Sequence, residues 1–431
     1  MRQWGLWLVL LIFSLGIAFA QEDYSFDLSE IEEKPFDIGG YVELYPVVHG
    51  SDEDSALHKL KFYNRNSEQL RDEYNFSALL DGSYKKGMSE FRAIVNTHVR
   101  QDTLGWSDDT TLYEGYASLR PSPSLTFNVG KTTLKWGKGY AWNPVAFLDR
   151  PKDPSDPELA REGFVVASAD YIKSFDGPLK TFSLTPALVP VYDNINEDLG
   201  QVKGMNFAGR AYFLLYDTDI DFLVLTGTSK TTRYGVDFSR NITSSFEIHG
   251  ELAFIKDHET KFIDETGALF SRQSNATNTL LGLRYLTESE ITTIFEYYHN
   301  ATGFTEMEMG DYYSFIDQGY TTYLSSGDDS GLKRASNITA NNYSQRNQMK
   351  DYLYLRISQK EPFDMLYFTP SITTIYNMND TSFSVGPEWL YTGVKNLELR
   401  LRTTFLVGDS YTEYGEKQND FWIGLRARYY H

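Results

Sequence analysis

The sequence predicts an all-β protein, a transmembrane antiparallel barrel of about eighteen strands, with sixteen as the alternative count. Three observations carry this. The chain has a mean hydropathy of −0.42, and beyond its first twenty residues it contains no long apolar segment. Stretches of about ten residues with a period of two recur to the end of the sequence. Aromatic residues are abundant, with 31 Tyr, 28 Phe and 7 Trp making 15% of the chain. A barrel strand alternates lipid-facing and interior-facing side chains, so it averages to near-neutral hydropathy, and barrels carry aromatic girdles at both interfaces.

The first element is a leader. Arg2 supplies positive charge, Leu6 to Phe19 is uncharged and apolar, and Ala18-Phe19-Ala20 is a small-x-small cleavage site before polar Gln21. This reads as a cleaved secretory signal peptide over 1–20, being short for a spanning helix. Residues 21–35 are acidic and are expected to form a short periplasmic segment. The barrel is expected over 36–431 as one domain.

Strands are expected to begin near Phe36, Tyr74, Met88, Thr111, Leu125, Phe164, Leu179, Met205, Ile220, Thr232, Ser245, Thr279, Ile291, Tyr352, Met365, Ser382, Leu397 and Phe421. The alternation is strict in Leu397-Glu398-Leu399-Arg400-Leu401-Arg402 and in Leu353-Tyr354-Leu355-Arg356-Ile357-Ser358. A period of two puts the apolar side chains of each strand on one face.

The connections alternate in length. Short turns such as Lys85-Lys86-Gly87, Pro121-Ser122-Pro123, Asp217-Thr218-Asp219 and Gly393-Val394-Lys395 follow even-numbered strands. Longer connections follow odd-numbered strands, at roughly 49–70, 101–109, 137–162, 257–276 and 302–347, with short exceptions near Ser229 and Asn379. Short periplasmic turns opposite long extracellular loops are the signature of such barrels, and the count places both termini on the periplasmic side.

Closing about eighteen strands leaves an interior too wide for side chains alone to fill. Strand parity turns a charged set inward: Arg92, His98, Arg100, Arg210, Arg233, Arg284, Arg356, Arg400, Arg402, Arg426 and Arg428, with Glu43, Glu114, Asp237, Glu247, Glu251, Glu296, Glu388 and Glu398. Ionised groups facing lipid are costly, so this face must be wet. The wall is near charge balance, and the net −19 must come mainly from loops and turns. Arg400, Arg402, Arg426 and Arg428 lie on two adjacent strands and predict a basic stripe. That stripe either favours anionic solutes, which guanidinium forks bind well, or pairs with neighbouring Glu and simply satisfies the wall.

The connection at 136–163 has its own composition. It reads Trp136-Gly137-Lys138-Gly139-Tyr140-Ala141-Trp142-Asn143-Pro144, then Arg150, Lys152, Asp153, Asp156 and Arg161 among four of the chain's 14 Pro. Proline lowers the entropy cost of an irregular path, and Gly137 and Gly139 permit a sharp departure from a strand. We expect either a loop folded inward as a constriction, contributing Trp136, Lys138, Tyr140, Trp142, Asn143, Arg150, Lys152, Asp153, Asp156 and Arg161, or a rigid external loop.

The whole mature chain resembles Gram-negative outer-membrane porin-like barrels. The Trp-Gly-x-Gly run followed by Asn143-Pro144 and a Pro/Asp-rich segment is similar to a loop of alginate-export and capsule-associated barrels. The resemblance implies residence in the outer membrane and diffusion of small polar solutes, with anionic ones among the candidates. It implies outer-membrane lipid and the barrel-assembly machinery as partners, the latter reading a terminal aromatic that here is followed by His431. Such barrels often assemble as homo-oligomers. A different reading is a plugged structural barrel that binds a surface polysaccharide or a partner protein.

Other functions are excluded by residue type. With no Cys, thiol catalysis and thiolate metal sites are impossible. The acidic balance opposes nucleic-acid binding. No phosphate loop, dinucleotide motif or His-Glu-x-x-His pattern occurs, and the seven His are scattered. No catalytic residue, cofactor or metal is expected, and an enzyme is not.

Overall fold

The computed structural model describes residues 35–202 and 204–431; the expected leader and most of the acidic segment after it lie outside the described residues. Eighteen antiparallel strands form one sheet. The first half runs β1 (Phe36–Ser51), β2 (Leu70–Lys86), β3 (Ser89–Asp102), β4 (Gly105–Ser122), β5 (Leu125–Thr132), β6 (Phe164–Ser174), β7 (Leu179–Val191), β8 (Gly204–Leu215) and β9 (Thr218–Gly227). The second runs β10 (Arg233–Thr243), β11 (Phe246–Ile263), β12 (Leu269–Leu286), β13 (Ile291–His299), β14 (Asp351–Gln359), β15 (Phe368–Asn377), β16 (Phe383–Val394), β17 (Leu397–Val407) and β18 (Asn419–Tyr430). Each strand pairs with the next, and β1 pairs with β18 in register from Tyr41↔Tyr430. The sheet therefore has no free edge, as a lipid environment demands of every backbone N–H and C=O.

The alternation sorts the faces as the sequence predicts. Leu44, Phe91, Val129, Phe222 and Leu281 point outward and are exposed, as a lipid-facing band requires. Tyr216, Tyr367 and Tyr429 stand exposed toward the short-turn rim, while Tyr74 stands toward the other, at the girdle positions. Polar partners face inward in rows, such as Arg92 against Asp81 at 2.7 Å.

All eighteen expected strands form, but three begin four or more residues earlier than expected. β2 begins at Leu70 rather than Tyr74, β4 at Gly105 rather than Thr111, and β12 at Leu269 rather than Thr279. Their leading segments, such as Trp106-Ser107-Asp108-Asp109 and Ser271-Arg272-Gln273-Ser274, lack apolar alternation. Above the membrane a hairpin needs none, because water surrounds it. Two expected long loops shrink accordingly: 101–109 becomes a turn at 103–104, and 257–276 becomes one at 264–268. Two further long connections, which the sequence did not single out, lie at 192–203 and 408–418.

The 302–347 connection is largely helical. Its helices, with an earlier short one, form a cap: α1 (Ala56–Phe62), α2 (Glu306–Ser326) and α3 (Ser330–Asn342). Thr305 and Glu308 make a reciprocal capping box at the start of α2, satisfying two backbone N–H groups that a helix leaves orphaned. Tyr312, Tyr313 and Ile316 of α2 pack with Leu332 and Ala335 of α3, Ala56 of α1, and Tyr352 and Tyr354 of β14 in one apolar cluster. The helices are tied to each other and to the tall hairpins by Lys59–Asp317 at 2.7 Å and Arg272–Glu308 at 2.6 Å.

Candidate functional site

The segment 133–163 leaves β5 by a turn with Lys135 and Gly137 at φ +54° and +90°. The Asp149 carboxylate closes that turn. It accepts the N–H groups of Leu134 and Lys135 at 3.1 Å each and of Trp136 at 2.8 Å. Trp136, Val145, Phe147 and Leu148 then pack on inward Val166, Val189, Ala208, Leu223, Leu225 and Ala253. The inner wall of β6–β9 and β11 is thus apolar beneath these four side chains. They are almost fully buried, so burial rather than solvation sets the side-chain choice.

Polar anchors flank this apolar seat. Asp237 stands directly opposite both Asp221 and Glu251 in the ladder. Like charges so placed are destabilising, and the loop compensates them. Lys138 Nζ lies 2.8 Å from Asp221, and Glu251 accepts backbone N–H groups from the loop. Glu296 of β13 accepts N–H groups from Tyr140 and Ala141, and its other partner is His249 at 2.9 Å. Tyr140 Oη donates to Glu247 at 2.9 Å, and Glu247 faces Arg284 across the ladder.

The loop then reaches a second wall, β16–β18. Asp156 accepts from Arg402 at 2.7 Å and from Arg426 at 2.9 Å. Burial pushes its carboxyl up, but Arg402, Arg426 and Arg400 more than reverse that and hold it below the ordinary range. The remaining arginines there are also matched. Arg400 meets Glu398 at 3.2 Å and Glu388 at 3.4 Å, Arg356 meets Glu388 at 3.3 Å, and Arg428 meets Glu43 at 2.6 Å. Of the two readings of the stripe, pairing is the one these distances describe.

Surplus positive charge lies elsewhere. A cavity of about 630 Å³ opens between the loop, the inner faces of β6 and β10–β13, and residues 344–347 after α3. Arg150, Lys152, Arg161, Lys230, Arg233 and Arg346 line it, against Asp149 and Asp198. Arg150 is matched by Glu162 at 2.9 Å and by Asp198, and Arg346 by Asp153. Among the described residues, Arg161 donates only to the Arg150 carbonyl, at 2.6 Å. Lys152, Lys230 and Arg233 have no carboxylate within 4.0 Å among the described residues. Burial first, then Arg233, pushes the Lys230 ammonium down to about 7; burial and Arg161 lower Lys152 as well. Carboxamides of Asn143, Asn278 and Asn347 and the stacked rings of Trp142 and Tyr298 (5.1 Å) complete the walls.

The expected inward set is thus split by position. Arg210 lies near Asp221 at 3.8 Å beneath the loop, while Glu114 accepts the Thr133 N–H at 3.1 Å where the loop begins. Arg92, Arg100 and His98 stand on β3, with Arg100 held by Glu73 at 2.8 Å and His98 by Ser77 at 2.9 Å. They are not brought to the cavity. Lys230 was absent from the expected set, being a lone Lys in a polar turn with no pattern to mark it. Asp221 and Asp81 were readable by the same parity as their neighbours.

No protein-family model matches the chain, and no curated protein matches it. Solved structures do. OccAB1 of Acinetobacter baumannii superimposes with a TM-score of 0.54 at 8% identity, covering 91% of this chain and 96% of that one. A BenF-like porin from Pseudomonas fluorescens Pf-5 gives 0.53 at 11% identity, with 92% and 98% covered. Pseudomonas aeruginosa OccK2 (OpdF), solved in complex with glucuronate, gives 0.51 at 10% identity, with 92% and 97% covered. The likeness is one of fold: this chain has the closed barrel of these porins along nearly its whole length.

Proposed function

We propose that the protein is an outer-membrane porin, exported through a cleaved leader over 1–20, that passes small polar solutes and prefers anions. The observation that carries this is the cavity beside the inward loop, lined by Lys152, Arg161, Lys230 and Arg233, which have no carboxylate within 4.0 Å among the described residues. Cations in a narrow, partly desolvated wall attract an anion strongly, because little water screens them. Carboxamides and aromatic faces nearby suit a solute that carries hydroxyl groups as well as a charge. Glucuronate, bound by one structural neighbour, is of that class. Selectivity on this reading comes from the cavity and not from the stripe of Arg400, Arg402, Arg426 and Arg428, whose charge is neutralised in place.

The test is swelling of proteoliposomes containing the refolded mature protein. Entry of gluconate is expected to exceed that of glucose, and Lys152→Met with Arg233→Met to abolish the difference while glucose entry continues. Equal entry of both solutes into wild-type vesicles contradicts the anion preference.

One observation favours a second reading. The apolar cluster of α1, α2 and α3 continues into Ala141 and Trp142 of the loop, so cap and loop form one core across the long-loop mouth. A barrel so plugged would bind a surface polysaccharide or a partner protein and exclude solutes. Vesicles that hold folded protein yet admit neither solute favour it.

A further inference from the structure

The contacts of Glu251 and Glu296 with the loop run mainly through its backbone. Glu251 accepts the N–H of Lys138 at 2.5 Å, of Gly139 at 2.7 Å and of Val145 at 3.2 Å, and the Asn143 amide at 3.0 Å. Glu296 accepts the N–H of Tyr140 and, at 2.9 Å, that of Ala141. The other edges of those last two peptide units are also occupied. The Gly139 carbonyl, in the same plane as the Tyr140 N–H, accepts from Lys152 Nζ at 2.5 Å. The Tyr140 carbonyl, in the same plane as the Ala141 N–H, accepts from the same ammonium at 3.2 Å. Two consecutive peptide units are held between a buried carboxylate and a lysine. A peptide whose N–H meets an anion is a stronger acceptor at its oxygen, so the two contacts reinforce each other. A side chain at 139 would forbid the path, since a Cβ there would lie 2.1 Å from the Trp142 carbonyl oxygen.

We propose that Glu251 and Glu296 are positioning residues for selectivity: they orient the 138–141 backbone so that its carbonyls hold Lys152 at the cavity wall. Neither carboxylate lines the cavity, whereas Lys152 does. The functional half of this proposal rests on the pore reading, and the geometric half does not. Removing one charge should leave the barrel ladder intact, because only side-chain acceptors change. It should loosen 138–141 and let Lys152 leave its place.

The experiment uses the refolded full mature chain with Glu251→Gln and Glu296→Gln, singly and together. Glutamine keeps the shape but replaces one acceptor oxygen with an N–H donor facing the loop's own donors. Hydrogen exchange followed by mass spectrometry is expected to quicken about tenfold over 137–145, the size of one charge-assisted bond lost. Segments of β10–β13 should keep their protection, and the barrel should keep its heat-modifiable migration. The reversal potential in a salt gradient should move toward zero in the same variants. If the double variant fails to fold, the single variants decide. Unchanged exchange over 137–145 in folded single variants overturns the proposal. Faster exchange in variants of a protein that never conducts supports the positioning of the loop and overturns the pore reading instead.

Discussion

At the scale of single residues, the interior is governed by what each charge finds opposite it. Asp156 is shared by two buried guanidiniums; its loss leaves Arg402 with Glu388 at 2.8 Å and Arg426 with Glu398 and Glu43 at 3.6 and 3.8 Å. Losing a charge-assisted hydrogen bond of this kind costs about 1.5–3 kcal/mol. Asp156→Asn should therefore lower the thermal midpoint measured by circular dichroism, whereas Asp328→Asn on the exposed cap should not. The same carboxyl is held below its ordinary range, so the stability it contributes is present at neutral pH. It is lost only as pH falls through the lowered folded value, beneath about 4. Lys230 titrates in the opposite part of the scale. Because its ammonium is pushed down to about 7, the cavity loses one positive charge over the interval in which pH rises through about 7. The anion preference is expected to weaken over that interval in wild type and to stay flat in Lys230→Met, as read from reversal potentials at each pH. Lys230 illustrates a residue that sequence could not mark, since its role depends on Arg233 and burial and not on any local pattern.

At the scale of elements, strands and loops obey different constraints, and that decides what could be read. Lipid on one side and polar groups on the other impose a period of two, so the eighteen strands are visible in sequence. Where a hairpin rises clear of lipid, as in Gly105–Asp109, the constraint ends and the strand becomes unreadable. The helices of the cap did carry a legible signal in Thr305-x-x-Glu308, a capping box ahead of Met309 and Tyr312. A long connection in a barrel does not otherwise predict helix. The inward loop was marked by its Gly and Pro content, but its seat was not. Parity anticipates a polar lumen everywhere, while β7 reads Leu-Thr-Pro-Ala-Leu-Val-Pro-Val with apolar groups on both faces. Such a run signals burial on both sides. Gly137 tests the loop as a unit. At φ +90°, a Cβ would meet Asn143 Nδ2 at 2.7 Å and Glu251 Oε1 at 2.8 Å. Gly137→Ala should cost the loop about 1–3 kcal/mol through strain at that angle, detected as faster exchange over 137–145 with the strand segments unaffected.

At the scale of the whole molecule, the outer surface and the lumen make separate demands that one sequence satisfies by alternation. Trp389 faces outward from β16 and is 38% exposed, while Trp136 and Trp142 are 3% and 7% exposed within the interior. Brominated lipid should quench a protein whose only tryptophan is Trp389 and leave one retaining only Trp136 nearly unquenched. The closed ladder from β1 to β18 needs no disulfide, in keeping with a chain that contains no Cys. Within the barrel, the arginines of β17 and β18 are matched by carboxylates, while Lys152, Arg161, Lys230 and Arg233, which have no carboxylate within 4.0 Å among the described residues, line one cavity. Conduction with the proposed anion preference is the property in which all three scales meet. Single-channel recording of the refolded mature protein in a planar bilayer, under a salt gradient, measures it directly. Discrete open steps are expected, with a reversal potential of the sign that anion flow sets. A bilayer that stays silent with folded, inserted protein, or a reversal potential of cation sign, would contradict anion conduction by this barrel.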